Sequence, residues 1–206
     1  MHARVNVIGF RPDALPVAAE LFRTKSAPMI MGWPGFQSTI AMVQWRTGKA
    51  VTCSIWETAQ QRDESGLRLE YIENLSSYGE MISGSVNRES YVVDLSTVAP
   101  SVPPEQRLPA WARVTTGQIP PPHWDAALEM LRPMVASDEA TGPDYHGSLF
   151  LTNRTLSKAI VIGLWASRRA ITDTDDDVHA RAYLVRRSGY LAESPTHELF
   201  EIVGWY

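Results

Sequence analysis

Alternating apolar and polar positions predict the strands of this chain. Residues 4–10 alternate and are rich in β-branched side chains, which is typical of a strand. Residues 36–44 and 50–56 predict two more strands, joined by a hairpin turn at 46–49 that contains a glycine. A further strand is predicted over 90–95.

Apolar residues at three-and-four spacing predict two helices between these strands. The first begins near Pro12, and its predicted buried face is Val17, Ala18, Leu21 and Phe22. The second begins at Thr58, which forms a capping box with Gln61. The predicted buried stripe of this second helix is Leu67, Tyr71, Leu75 and Tyr78. The element order β-α-β-β-α-β is the ferredoxin-like motif, with both helices on one face of an antiparallel sheet.

The same pattern occurs twice in the chain. Trp165 follows Trp56 by 109 positions, and this single offset aligns the two halves. It places Ala3-Arg4-Val5 on Ala112-Arg113-Val114, Glu20 on Glu129 and Lys49 on Lys158. We therefore predict an α+β protein with one repeat over 1–97, a proline-rich linker over 98–109 and a second repeat over 110–206. Each sheet has a second apolar face, so we expect the two sheets to pack on each other within one chain.

Composition narrows the class of protein. Hydrophobic residues make up 44% of the 206 positions, and the formal net charge of −4 gives no reason to expect nucleic acid or an anionic membrane as a partner. Cys53 is the only cysteine, which excludes an internal disulfide and favours a reducing compartment. The N-terminal residues lack the apolar stretch of a signal peptide. We expect a cytoplasmic protein, and further pairing into a homodimer stays open.

Three short motifs stand out in the first half: Trp33-Pro34-Gly35-Phe36, Thr47-Gly48-Lys49 and Ile55-Trp56-Glu57-Thr58. Together they resemble motifs of the dimeric α+β barrel, or antibiotic biosynthesis monooxygenase, superfamily. The second half keeps only Pro143-Asp144-Tyr145 and Trp165-Ala166-Ser167. The resemblance implies a barrel shared by the two repeats, with a pocket between each sheet and its own helices. Several relatives oxidise aromatic anthrones with molecular oxygen and without metal or flavin, whereas others degrade haem or cyclise polyketides.

The candidate catalytic residues are Trp56, Asn6 and Thr52. Strand alternation places Thr52, Ser54 and Trp56 on one face, and an indole N–H at the end of a strand can donate to a substrate oxygen. The resemblance implies that Trp56 matches a tryptophan implicated in catalysis in the anthrone oxygenases. Thr52 and Arg62 stand where those enzymes carry asparagine and tyrosine. The candidate substrate-binding residues are Ser54, Tyr71, Leu75 and Trp33.

The resemblance also bears on haem chemistry. Asn6 lies where haem-degrading relatives have a functional asparagine, but 67–78 contains no histidine to ligate iron. His179, in the second repeat, is the one histidine on a predicted helix where an iron ligand could lie. The five histidines show no ligand spacing, so we expect no metal and no cofactor.

We therefore expect a cofactor-independent monooxygenase that acts with molecular oxygen on an aromatic, polyketide-like substrate. Three alternatives stay open: a polyketide cyclase, a non-catalytic binding protein for a planar hydrophobic ligand such as haem, and a barrel whose pockets are filled by its own side chains. The second repeat has Thr115, Val161, Gly163 and Trp165 at the matching positions. Because two polar groups are missing there, we expect any chemistry in the first repeat.

Overall fold

The computed structural model describes residues 1–98, 110–136, 144–175 and 189–206. Within these ranges the side chains are described everywhere except at 131–136 and 174–175. The described strands are β1 (His2–Phe10), β2 (Phe36–Gln44), β3 (Lys49–Trp56), β4 (Ile82–Ser96), β5 (Trp111–Gln118), β6 (Tyr145–Asn153), β7 (Lys158–Trp165) and β8 (Thr196–Trp205). The α-helices are α1 (Leu15–Leu21), α2 (Ala27–Met31), α3 (Ala59–Ser65), α4 (Leu69–Ser76), α5 (Trp124–Ala136) and α6 (Arg168–Asp175).

Each repeat has the strand order of a ferredoxin-like unit. In the first repeat the order is β4-β1-β3-β2, and in the second it is β8-β5-β7-β6. Hydrogen bonds also join β2 to β8 and β6 to β4, so the strand order closes as β1-β3-β2-β8-β5-β7-β6-β4. This is the topology of an eight-stranded antiparallel barrel, and it confirms the predicted α+β class with two β-α-β-β-α-β repeats.

The chain divides into two compact units. The first consists of 1–92 with 201–206, and the second of 93–200. In the first unit, Ile40 pairs with Trp205 and Val43 with Glu201, so residues from the end of β8 extend the sheet beyond β2. The sequence repeat gives no hint that these C-terminal residues pair there.

The first helical segment departs from the predicted register. α1 begins at Leu15 and runs through a π-helical turn, Phe22–Ser26, into α2. Leu15 and Ala18 are buried, whereas Val17 is 61% exposed. The prediction that Val17 faces the core was wrong. The helix begins at Leu15, and its inward face is set by Leu15 and Ala18, which are three residues apart; Val17 does not lie on that face.

The second helical segment is two short helices rather than one. The capping box of Thr58 and Gln61 is present at the start of α3, as predicted. α3 ends at Gly66, and α4 begins at Leu69. Leu67 lies in the break and is 79% exposed, so its predicted place in the buried stripe was wrong. Tyr71 and Tyr78 are buried as predicted, and Leu75 is half-buried.

The hairpin between β2 and β3 forms at the predicted place. Gly48 has a φ of +74°, which is the left-handed region that favours glycine. Its amide donates to the carbonyl of Gln44 at 3.0 Å, and its own carbonyl accepts from Phe10 at 2.8 Å. The turn is therefore held against the end of β1.

Some predicted features lie outside the described residues. They include most of the linker at 98–109, Pro143 and His179. In the part of the chain that is described, no helix is long and apolar enough to cross a membrane.

Candidate functional site

A cavity of about 200 Å³ lies in the first unit, lined by β1, β2 and β3 on one side and by helices on the other. All seven candidate residues named from the sequence line this cavity, although their roles stay predictions. They are Asn6, Trp33, Thr52, Ser54, Trp56, Tyr71 and Leu75. The alternation of β3 therefore turns the expected face toward the cavity.

Aromatic rings form one wall of the cavity. Trp56, at the end of β3, is 1% exposed. Its ring stacks on Trp33 with the centroids 6.4 Å apart and 25° between the planes. Phe36 meets Trp56 edge to face at 5.6 Å, and Trp33 meets Tyr71 edge to face at 6.3 Å. These flat apolar surfaces are suited to a planar aromatic ligand.

The loop before β2 brings Trp33 to Trp56. Gly35 has a φ of +76°, and a methyl group added to it would clash with the side chain of Gln61. Its carbonyl accepts from the amide of Glu57 at 2.8 Å, which ties the loop to the end of β3. The Pro-Gly-Phe motif is thus explained locally: glycine is the residue that allows both the backbone conformation and the packing of the helix cap.

Hydrogen-bond donors lie on the strand side of the cavity. Trp56 Nε1 is buried and has no acceptor among the residues described. Asn6 Nδ2 donates to Thr52 Oγ1 at 3.0 Å, which leaves the Thr52 hydroxyl hydrogen to donate in its turn. The Ser54 hydroxyl is bonded to that of Thr39 at 2.9 Å and is therefore already engaged within the sheet.

Sequence reasoning missed a buried polar cluster on the helix side. Ser26, at the end of the π-helical turn, lies 2.6 Å from the Tyr78 hydroxyl and accepts from Asn74 Nδ2 at 2.8 Å. All three residues line the cavity. Burial raises the pKa of Tyr78, against the opposing effect of its hydrogen bond to Ser26. The burial of Tyr78 was predicted, but the sequence offered no signal that Ser26 joins it, because Ser26 lies 48 positions from Asn74 and 52 from Tyr78 and meets them through tertiary packing.

Two further lining residues were also missed. Val203 comes from β8, which pairs with β2. The two strands are far apart in the sequence, so no local pattern predicts this pairing. Arg4 is a charged residue that is 3% exposed. Its signal was available, since Arg4 has the same parity along β1 as Asn6 and so faces the same side of the sheet.

The equivalent residues of the second unit are arranged differently. The Trp165 ring lies directly over Gly163, where a methyl group would clash with it. The Cζ atom of Arg113 lies 5.0 Å from the centre of the Trp165 ring, and the Tyr145 ring packs against it with the centroids 5.2 Å apart. Thr115 Oγ1 lies 3.0 Å from Nδ1 of His197. The space that the Ser54 side chain takes in the first unit is thus taken by an indole in the second.

Cys53 points to the opposite face of β3 and does not line the cavity. It is fully buried, and burial raises the pKa of its thiol from 9.0 to about 12. Among the described residues, no group of three or more His, Cys, Asp or Glu side chains could hold a metal ion.

The sequence matches no protein-family model. It also matches none of the curated proteins at a significant level. Solved structures, by contrast, resemble it over nearly its whole length. A proposed monooxygenase from Fusobacterium nucleatum is 10% identical, covers 99% of this chain and 93% of its own, and superposes with a TM-score of 0.79. An anthrone oxidase-like protein is 14% identical and covers 100% and 92%, with a TM-score of 0.70.

A third structure carries the name of the superfamily. A ferredoxin-fold protein from Listeria monocytogenes, related to antibiotic biosynthesis monooxygenases, is 8% identical and covers 97% of this chain and 93% of its own, with a TM-score of 0.54. At such identities the likeness concerns the fold. The chain therefore has the fold of the antibiotic biosynthesis monooxygenase-like ferredoxin-fold proteins, with two β-α-β-β-α-β repeats in one polypeptide.

Proposed function

We propose that the cavity of the first unit binds a planar aromatic, polyketide-like molecule and oxidises it with molecular oxygen, without a metal or organic cofactor. The observation that carries the proposal is the buried N–H of Trp56. It has no acceptor within the described part of the chain, as is also the case for the indole N–H groups of Trp124 and Trp165, but of these three residues only Trp56 lines the cavity. A buried donor without a partner is costly, and a ligand oxygen would satisfy it.

The reaction would use the substrate's own reducing power. An anthrone-type molecule has a methylene carbon between two aromatic rings, and it reacts with oxygen as its enolate. Overall, two C–H bonds break, one oxygen atom forms a C=O bond at that carbon, and the other leaves as water with the two hydrogens. The four electrons lost by the substrate are the four gained by the oxygen molecule, so no other reductant is needed.

The residues on the strand side would favour the anion. The Trp56 indole N–H and the Thr52 hydroxyl are donors that can stabilise an enolate oxygen. Because the Thr52 oxygen accepts from Asn6, the hydrogen of the Thr52 hydroxyl would be available to donate to the substrate oxygen. Trp33 and Tyr71 would enclose the rings of the substrate and keep water away from the reacting carbon.

A non-catalytic binding protein for a planar ligand is the second candidate. The stacked aromatic wall supports it as well as it supports the oxygenase, because stacking requires no chemistry. The two candidates differ in whether a bound anthrone is consumed.

The test uses a dihydroxyanthrone in air, with oxygen uptake and the quinone absorption band as readouts. The wild-type protein is expected to accelerate both above the spontaneous rate, with one atom of labelled oxygen entering the product. Leu75→Trp should block the cavity, which Leu75 lines. Leu67→Trp is the matched control, since Leu67 is 79% exposed and lies outside the cavity.

Binding without faster oxidation would contradict the oxygenase and favour the binding protein, for which a visible spectrum on haem titration is the next measurement. Equal rates for Leu75→Trp and wild type would show that any oxidation occurs elsewhere than in this cavity.

A further inference from the structure

Arg4 is a charged side chain on the cavity wall that is almost entirely shut off from water. It is 3% exposed, and its guanidinium carbon lies 5.6 Å from the centre of the Tyr71 ring. Removing a charge from water is costly unless opposite charge or hydrogen bonds offset the loss. The partners of Arg4 therefore decide whether this charge is fully compensated.

The partners of Arg4 are neutral. Its Nη1 donates to the Ser65 hydroxyl at 2.8 Å, and its Nη2 donates to the carbonyl of Arg62. Its Nε is buried and has no acceptor in the residues that the structure describes. Two hydrogen bonds to uncharged oxygens thus hold the side chain in place but supply no negative charge.

The charges near Arg4 are mainly positive. Asp63 is the neighbouring carboxylate, but it is 60% exposed and both its oxygens accept from Arg62, at 2.8 and 3.0 Å. The guanidinium of Arg88 lies 5.2 Å from the same Tyr71 ring. Burial first, and then the nearby Arg88, lower the pKa of Arg4 to about 10, which still leaves it charged at neutral pH.

Arg4 also lies beside the proposed reactive residues. It pairs with Ser54 across β1 and β3. The neighbouring pairs on the same face of the sheet are Asn6 with Thr52 on one side and His2 with Trp56 on the other. Arg4 lines the cavity together with Trp56 and Tyr71, so a ligand that stacks on the aromatic wall would lie beside both the indole N–H and the unpartnered Nε of Arg4.

We propose that the cavity selects planar aromatic ligands that carry an oxyanion, a carboxylate or an ionised phenol or enol, and that Arg4 binds this oxyanion. The inference rests on the proposed function, because it assigns a substrate class to the same cavity. It differs from that proposal in that it requires no turnover. Charge-assisted hydrogen bonds to a planar guanidinium favour such oxygens over neutral ones.

The test compares two probes of nearly equal shape, an anthracene carboxylate and the corresponding carboxamide, by calorimetric or fluorescence titration at neutral pH. The wild-type protein is expected to bind the carboxylate about tenfold or more tightly than the amide. Arg4→Gln should abolish this preference, because the affinity for the carboxylate should fall at least tenfold more than the affinity for the amide. Arg4→Lys keeps the charge and should keep part of the preference. Arg11→Gln, an exposed arginine just after β1, is the control for net charge.

Equal affinity of the wild-type protein for the two probes would overturn the role of Arg4, and this comparison does not depend on any variant folding. It would leave the oxidation of neutral anthrones intact as a proposal. Binding of neither probe would overturn the anion site and also count against the cavity as an aromatic site. If neither probe bound but an anthrone were still oxidised, the anion site would fail while the proposed oxidation stood.

Discussion

The side-chain amide of Asn6 donates to the hydroxyl of Thr52 at 3.0 Å, across the pairing of β1 and β3. Both residues line the cavity and neither is fully exposed. The bond fixes two polar side chains on an otherwise mainly apolar wall.

Replacing Thr52 by valine keeps the shape but removes the acceptor of the Asn6 amide. We expect the free energy of unfolding to fall by about 1–3 kcal/mol, because a half-buried donor loses its partner. Urea unfolding measures this change. Thr196→Val, at an exposed position on β8, should change stability by less than about 0.5 kcal/mol. Equal effects of the two substitutions would show that the bond contributes nothing specific.

Trp56→Phe removes the unsatisfied N–H with little loss of ring volume. We expect anthrone oxidation to slow by about tenfold to a thousandfold, since one donor to a developing oxyanion is lost. Stability should fall only modestly. Trp165→Phe is the matched change in the second unit and should leave activity nearly intact. If Trp165→Phe abolished turnover while Trp56→Phe were silent, the chemistry would have been assigned to the wrong repeat.

Gly48→Ala tests the hairpin that closes the end of the first unit's sheet. The left-handed backbone disfavours alanine, and the added methyl would clash with the carbonyl oxygen of Phe10. We expect the free energy of unfolding to fall by about 2 kcal/mol or more. Thermal or urea unfolding measures this change. Gly79→Ala is the control, because nothing lies within 4 Å of a methyl group there. A stable Gly48→Ala protein would show that the turn adopts another conformation.

Cys53 should resist thiol reagents in the folded protein. Burial raises the pKa of the thiol to about 12, so almost no thiolate forms at pH 8. A colorimetric disulfide reagent is expected to react fully in denaturant and very slowly without it. Fast reaction of the folded protein would contradict the buried position.

The same pKa shift predicts a loss of stability at high pH. The unfolded thiol ionises near 9.0 and the folded one near 12. The contribution is therefore fully present below pH 9 and is lost as the pH rises toward 12. Cys53→Ala removes this group, so the difference between wild type and variant isolates its titration from that of other residues. An unchanged difference across this range would refute the assignment.

Local patterns in the sequence determined the class of fold and most of the cavity's strand side. Alternation along β3 settled that Thr52, Ser54 and Trp56 share a face, because the side-chain period of a strand is two whatever its partners. The Thr58–Gln61 capping box and the turn at Gly48 were likewise predictable, since each depends on residues within a few positions of one another.

The tertiary structure alone decided what closes the cavity. Two contacts between distant segments close it. Ser26 meets Asn74 and Tyr78, and β8 pairs with β2 and so brings in Val203. No local period encodes such contacts, because they follow from which surfaces are buried together. The exposure of Leu67 has a local origin, since α3 ends at Gly66 and glycine disfavours continuation of a helix, so helical spacing should not have been extended across it.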